Sequence, residues 1–339
     1  MANMESEARS PADLLKLSGS YWAACTLHAG VELDLFSVIG DGGLTCEQVA
    51  EGIGAAHRAT SLLLNALAAM SLLEKRGEIY RNTPAAKNFL TKDSPQYIGH
   101  IIRFHHYLVE SWSKLDEAVK TGRPVRQKDF YEDDVKREAY LMGMFNNAMA
   151  LAPKVADELD LAGRKRLLDL GGGPGTYAIH FCKRYPGLKA TVCDLVTTRP
   201  FAEKTIARFG LSSRIDFSEL DYLTQEVEGV YDAAWLSFIL HAESPEDCRM
   251  IVKKAVKALQ PGGLIAIHEF VLDNTLDGPV RPALFSLNML LGTAGGQSYS
   301  EEQITTMLAE NGVGEIRRLP FKGPADSSIV VGKKLDRTD

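Results

Sequence analysis

Three carboxylates and a cluster of glycines are the residues of this chain whose types and spacing could do chemistry. Asp169 stands two residues ahead of Gly171 in the run Asp169-Leu170-Gly171-Gly172-Gly173-Pro174-Gly175, straight after Leu167-Leu168. Glycines at 171, 173 and 175 let backbone and ligand approach closely, because no Cβ intrudes. An acid just ahead of such a loop suits a cationic ligand, whereas a pyrophosphate docked on a helix N-terminus gives it no purpose. The competing dinucleotide pattern, G-x-G-x-x-G, would need a glycine where Thr176 stands. A tight turn with no ligand is the plainer alternative. Two further acids follow apolar runs. Asp194-Leu195 closes the run 189–193, and an acid about 20 residues after the glycines is placed to accept ribose hydroxyls. Asp221-Tyr222 closes 215–220; there an acid could take an adenine amino group while the aromatic covers the ring, or the acid could simply cap the strand. In register, the three describe a site for a positively charged nucleoside without phosphate.

These residues need strand ends to hold them. From about residue 164 onward, strand and helix patterns alternate, with strands expected at 166–170, 189–193, 215–220, 231–238 and 264–268. That alternation predicts a doubly wound parallel sheet with ligands beyond its carboxyl edge. Ser244 and Pro245 read as the N-cap and first turn of a helix that runs to Gln260 and stops at Pro261-Gly262-Gly263. Ser300 caps another helix, and 315–320 with 327–332 read as an antiparallel edge pair. The N-terminal part is mainly helical. An apolar helical stretch over 14–35 is expected to break at Gly30; Thr45 to Gln48 is a capping box; 58–73 is a longer helix; and 74–83, with Gly77 at its tip, is a hairpin. Helix, helix, hairpin is a winged-helix pattern. A methionine-rich helix over 140–159 separates the two parts. The boundaries read as 1–105, a helical linker 106–160, and 161–339.

Composition narrows the function. The 339 residues carry 45% apolar and 24% charged residues and a net charge of −6. An acidic balance argues against a nucleic-acid surface, which needs a basic stripe. The expected reading helix offers Ser61-Leu-Leu-Leu-Asn65-Ala-Leu-Ala-Ala-Met70, apolar rather than base-reading. Five scattered cysteines without a Cys-x-x-Cys pair point to no disulfide framework, no metal site and a cytoplasmic setting. No run of 18 apolar residues suggests a membrane span.

With loop, strands and helices placed, the chain resembles the S-adenosylmethionine (SAM)-dependent small-molecule O-methyltransferases over nearly its whole length. The N-terminal stretches Glu32-Leu-Asp-Leu-Phe36, Leu44 to Ala50 and Tyr80-Arg-Asn-Thr83 match it, as does Phe145-Asn-Asn-Ala-Met149. The resemblance implies an α/β fold: a Rossmann-like, doubly wound class I methyltransferase domain preceded by a mainly helical, winged-helix-like dimerisation domain. It implies a homodimer with SAM as cofactor, a small-molecule acceptor, and no nucleic-acid or membrane partner. Cofactor contacts would come from Asp169, Gly171, Gly173, Asp194, Leu195, Asp221, Tyr222 and Ser237. The acceptor would meet Phe145, Met149, His105 and Met289. In Ile239-Leu240-His241-Ala242-Glu243, His241 matches the family's catalytic base, and Glu269 matches its orienting acid. The chain departs from the family at Ala242, where an Asp is usual, at Glu243, where a Trp is usual, at Ser237, where plant members have Lys, and at Ser298, where a second acid helps hold the His.

Methyl transfer from a sulfonium is an in-line displacement in which the protein aligns the acceptor and manages one proton. A phenol of pKa about 10 and a His of about 6.5 differ by roughly 5 kcal/mol, so proton removal must accompany attack or the site must acidify the phenol. Because His241 has one candidate acid partner rather than two, methylation of carbon, nitrogen or sulfur without a His base is the alternative. A DNA-binding regulator built on the winged helix is a third, more distant reading. His268 should point away from Glu269's face and reads as structural.

Overall fold

The computed structural model describes residues 10–126, 133–323 and 326–336. The chain divides into two compact units, Met1–Val109 with Asp134–Asn146, and Glu110–Asp133 with Asn147–Asp339. Among the described residues no helix is long and apolar enough to cross a membrane.

In the first unit, helices α1 (Pro11–Ser18), α2 (Tyr21–Glu32) and α3 (Leu35–Ile39) precede strand β1 (Leu44–Thr45), α4 (Cys46–Gly52) and α5 (His57–Ala69). Strands β2 (Leu73–Arg76) and β3 (Ile79–Asn82) form the expected hairpin, and β1 adds to it in the order β1-β3-β2. Helices α6 (Pro84–Leu90) and α7 (Gly99–Trp112) follow. The Thr45–Gln48 capping box forms as read. Two expectations need correction. The break expected at Gly30 falls at Gly19-Ser20, between α1 and α2. Gly30 lies inside α2, where an added Cβ would sit 3.1 Å from Phe36 and 3.3 Å from Leu67, so its role is close packing and not chain reversal. The helix expected to reach residue 73 stops at Ala69: Ser71 takes φ +57° and turns the chain so that Leu73 opens β2. On α5, Thr60, Leu64 and Leu67 face inward. Asn65, a side chain of the kind that meets base edges, instead accepts from Lys75 Nζ at 2.8 Å and Tyr80 OH at 2.9 Å.

The second unit contains α8 (Leu115–Thr121) and most of its mass follows α9 (Asp134–Glu158), a helix whose residues are shared between the units. Then come β4 (Arg166–Leu170), α10 (Thr176–Arg184), β5 (Lys189–Asp194), α11 (Arg199–Arg208), β6 (Ile215–Glu219) and β7 (Tyr231–Ser237). They are followed by α12 (Pro245–Ala258), β8 (Leu259–Phe270), α13 (Val280–Gly292), α14 (Glu301–Glu310), β9 (Val313–Arg318) and β10 (Ser327–Lys334). The seven strands lie in the order β6-β5-β4-β7-β8-β10-β9. The first five are parallel, and β10 pairs antiparallel with both β8 and β9, which makes the expected edge. Chain order reverses at β4, so the crevice for a ligand opens at the carboxyl ends of β4 and its neighbours. α12 stops at Ala258 rather than 260, because Leu259 is already extended and pairs with Tyr231.

Both faces of the sheet are covered. α10, α11 and the end of α9 bury one face around Trp235, which packs against Tyr177 and Phe181 at 5.2 and 5.1 Å between ring centres. α12 and α14 bury the other around Leu168, Leu170, Leu236 and Ile267. Each such fully buried leucine or isoleucine contributes about 1.5–3 kcal/mol. That anchorage holds the strand ends still.

Candidate active site

The glycine loop turns as its sequence demands. Gly171, Gly173 and Gly175 have φ of +67°, +54° and +76°, conformations costly to residues with a Cβ. A Cβ on Gly171 would also lie 2.4 Å from Ile239. Beneath the loop sits Asp169, only 1% exposed, with its carboxyl against Gly172 and its Oδ2 without a hydrogen-bond partner. Burial without a countercharge pushes this carboxyl up to about 7, and the nearby Asp194 pushes the same way. Asp194 closes the loop on its other side. Its Oδ2 accepts from Gly173 N at 2.8 Å, while Oδ1 accepts from Leu195 N at 2.8 Å and Thr198 Oγ1 at 3.0 Å. Leu195 itself is exposed at the crevice edge. Two carboxylates flanking a bare loop repel anions and favour a cation.

Asp221 takes the capping role. Its carboxylate accepts from Leu223 N at 3.0 Å and Thr224 Oγ1 at 2.9 Å, closing its own turn. Tyr222 beside it donates its hydroxyl to Glu243 Oε1 at 3.1 Å. Lys254 Nζ donates to the carbonyls of Tyr222 and Leu223 at 2.8 and 3.0 Å. Neither Glu243 nor Lys254 carried an expected role.

After β7 the chain needs an abrupt turn. Phe238 adopts φ +57°, which costs an L-residue roughly 1–2 kcal/mol. That turn brings Leu240 and His241 back over the end of β8. There Glu269, 1% exposed, accepts from Leu240 N at 2.9 Å and His241 N at 3.3 Å through Oε1, and meets His241 Nδ1 at 2.8 Å through Oε2. The pairing fixes Nδ1 as the protonated nitrogen and leaves Nε2 a lone pair. Among the described residues Nε2 has no hydrogen-bond partner, and the His241 side chain is 13% exposed. Phe285 meets the imidazole edge-on at 4.9 Å, with Phe270 and Phe238 at 6.0 and 6.2 Å. The result is an imidazole with a fixed ring orientation and one nitrogen left to accept, in a mostly apolar surround. Ser298, at the position of the missing acid, bonds Pro282 O and Ser286 and does not reach His241.

The remaining candidates are distributed. Met289 is 7% exposed and lies one turn beyond Phe285 on α13. Met149 is half-buried on α9 in the second unit; Phe145 on α9 and the exposed His105 on α7 belong to the first. Ser237 turns its hydroxyl inward, to His268 Nδ1 at 3.1 Å and to the Tyr177 phenol. His268, fully buried, also meets Ser327 Oγ at 3.2 Å, and burial lowers its pKa to about 3. The unfolded chain therefore takes up a proton below about pH 6.5 that folded His268 refuses, so stability falls with pH from 6.5 toward 3. The expected penalty is about 2 kcal/mol at pH 5. Urea midpoints at pH 7 and pH 5 measure it. The pH 7 to pH 5 difference should shrink in His268→Gln whatever that variant's overall stability, and an unchanged difference rules the explanation out.

Comparison with known proteins follows the same lines. A family described as the O-methyltransferase domain matches residues 112–314, and one described as the O-methyltransferase dimerisation domain matches residues 15–92. The chain is 33% identical over 330 residues to 3-hydroxy-5-methyl-1-naphthoate 3-O-methyltransferase of Streptomyces sahachiroi, covering 96% of this chain and 95% of that one. It is 29% identical to the tetracenomycin polyketide synthesis 8-O-methyl transferase TcmO of Streptomyces glaucescens, covering 96% and 97%. The crystal structure of human N-acetylserotonin methyltransferase in complex with SAM superposes with a TM-score of 0.87 at 26% identity, over 98% of this chain and 100% of that chain.

Proposed function

The chain belongs to the SAM-dependent O-methyltransferase family, and from that membership we propose that it methylates a hydroxyl of a small aromatic or polyketide-like acceptor, with His241 taking the proton. The observation that carries the finer reading is the His241–Glu269 pair: an imidazole held at Nδ1 by a buried carboxylate, with Nε2 left to accept. A hydroxyl gives up its proton as it is methylated, and this pair is placed to take it. The naphthoate and polyketide enzymes it resembles suggest the acceptor class.

The residues fit SAM. The unpartnered buried oxygen of Asp169 asks for positive charge, and Gly173 leaves open space that a Cβ would enter. We assign Asp169, Gly171, Gly173, Asp194, Leu195, Asp221, Tyr222 and Ser237 to that site, with Asp221 acting through the turn it closes and Ser237 through the tie it makes from the end of β7 to His268 on β8. When bound, SAM supplies an electrophilic methyl group on a sulfonium. The protein's part is to orient the acceptor, exclude water with Phe238, Phe270 and Phe285, and hold the departing proton on His241 Nε2. Within the second unit, acceptor contacts are assigned to Met289 and Met149. We also propose a homodimer formed through the first unit, where Leu14, Leu15, Leu17, Tyr21 and Trp22 are all more than half exposed.

The test is to incubate the purified protein with SAM and a panel of hydroxylated naphthoates and polyketide aromatics, following S-adenosylhomocysteine (SAH) release and product mass. Failure to bind SAM at all in calorimetry would remove the reading. A second expectation concerns Asp169. A cation beside it favours the carboxylate, so SAM binding below pH 7 should release a proton, and affinity should rise toward pH 7 and then level, by up to about tenfold per pH unit. Calorimetry at pH 6 in buffers of different ionisation heat reads that proton; identical heats in all buffers would contradict it.

A further inference from the structure

Lys254 lies on the apolar face of α12 among Ile251, Val252, Ala255 and Ala258, and is 8% exposed. Lysine is seldom buried this far without a strong reason. Its nitrogen grips two carbonyls of one turn, Tyr222 O at 2.8 Å and Leu223 O at 3.0 Å. That turn belongs to no strand or helix, and the Asp221 carboxylate is engaged in closing it on Leu223 N and Thr224 Oγ1. At its other end Tyr222 is held by its phenol, which donates to Glu243 Oε1 at 3.1 Å. Glu243 is fastened in turn, its carbonyl accepting from Tyr299 OH at 2.6 Å. Tyr222 follows β6 and Glu243 follows β7, and β5 and β4 lie between those strands. Three strand spacings are roughly 14 Å. The Tyr222–Glu243 bond therefore ties together loops from strands three places apart. The two strands between them are those whose ends carry Asp194 and the glycine loop.

We infer that Lys254 and Glu243 are positioning residues for the adenosyl end of the cofactor, holding Tyr222 by main chain and phenol as a fixed aromatic wall. The inference rests on the SAM reading of the site. A wall already ordered in the free protein binds a nucleoside without the loss of side-chain freedom that a loose tyrosine would suffer. Lys254 supplies the main-chain anchor, and Glu243 fixes the direction of the ring.

Calorimetry with three ligands, SAM, SAH and adenosine, tests this on the purified full-length protein. Lys254→Met, Glu243→Leu and Tyr222→Phe should each raise the dissociation constants of all three about tenfold, because the adenosyl group is common to them. Lys254→Arg, which keeps donors for the two carbonyls, should recover most of the affinity at a melting temperature matching that of wild type. Should Lys254→Met fail to fold, Glu243→Leu and Tyr222→Phe decide alone. Wild-type affinities in those two folded variants would overturn the inference, as would a loss for SAM with none for adenosine, which would place the effect at the sulfonium. A wild-type protein that binds none of the three overturns the SAM reading instead, a result distinct from either.

Discussion

His241→Ala is expected to lower kcat by about 10²- to 10⁴-fold while leaving SAM affinity near wild type. The two quantities separate because the imidazole is bound to Glu269 and ringed by Phe238, Phe270 and Phe285, while the loop and acids assigned to SAM are Asp169, Gly171, Gly173 and Asp194. The size of the loss follows from the proton. A phenol exceeds histidine in pKa by about 3.5 units, so even an intact base takes the proton only as the carbon–oxygen bond forms. Without the base the proton must pass to water, in a surround whose aromatic edges keep water sparse. Steady-state turnover of an acceptor from the panel, with SAM calorimetry on the same preparation, makes the measurement. Turnover within about threefold of wild type would return the assignment to the carbon, nitrogen or sulfur reading, in which no base is needed.

What was legible in the sequence was local. The Thr45, Ser244 and Ser300 caps formed as read because a cap is a bond between residues three apart. The glycine loop was legible because positive φ at Gly171, Gly173 and Gly175 leaves few other residues possible. His241 and Glu269 were legible only through family resemblance; nothing local in 28 residues of separation says that one carboxylate will take both Leu240 N and His241 Nδ1. The misreadings share a cause. Gly30 looked like a helix break, yet its missing Cβ makes room for Phe36 and Leu67, neighbours decided by tertiary packing. Lys254 carried no reading of its own. Its place on the Ile251–Ala255 face was visible in the 3.6-residue period, but the carbonyls awaiting it were not. For Asp221 the capping alternative was visible, but not the donors it would take, Leu223 N and Thr224 Oγ1.

Glu269→Gln should lower kcat by about 10²- to 10³-fold, nearly as much as removing the histidine, although the change is one atom. Four donors converge on this carboxylate: Leu240 N and His241 N at Oε1, His241 Nδ1 and Phe270 N at Oε2. A glutamine amide has one oxygen, so it can keep Leu240 N and His241 N or the imidazole and Phe270 N, but not all four. If the oxygen stays on Leu240 N and His241 N, the amide NH₂ faces Nδ1. The ring then relieves the clash of two donors by moving its own proton to Nε2. The nitrogen that must accept the acceptor's proton now carries one already. If the oxygen goes to Nδ1 instead, the NH₂ faces the main-chain donors of Leu240 and His241, and the turn that positions the ring loosens. Either way the variant also loses about 1–3 kcal/mol of stability, because Glu269 is buried and an unmatched buried donor costs that much. Nitrogen NMR of the imidazole separates the two routes, by whether Nε2 or Nδ1 bears the proton. Unimpaired turnover with the proton still on Nδ1 would mean that Glu269 fastens a loop and takes no part in preparing the base.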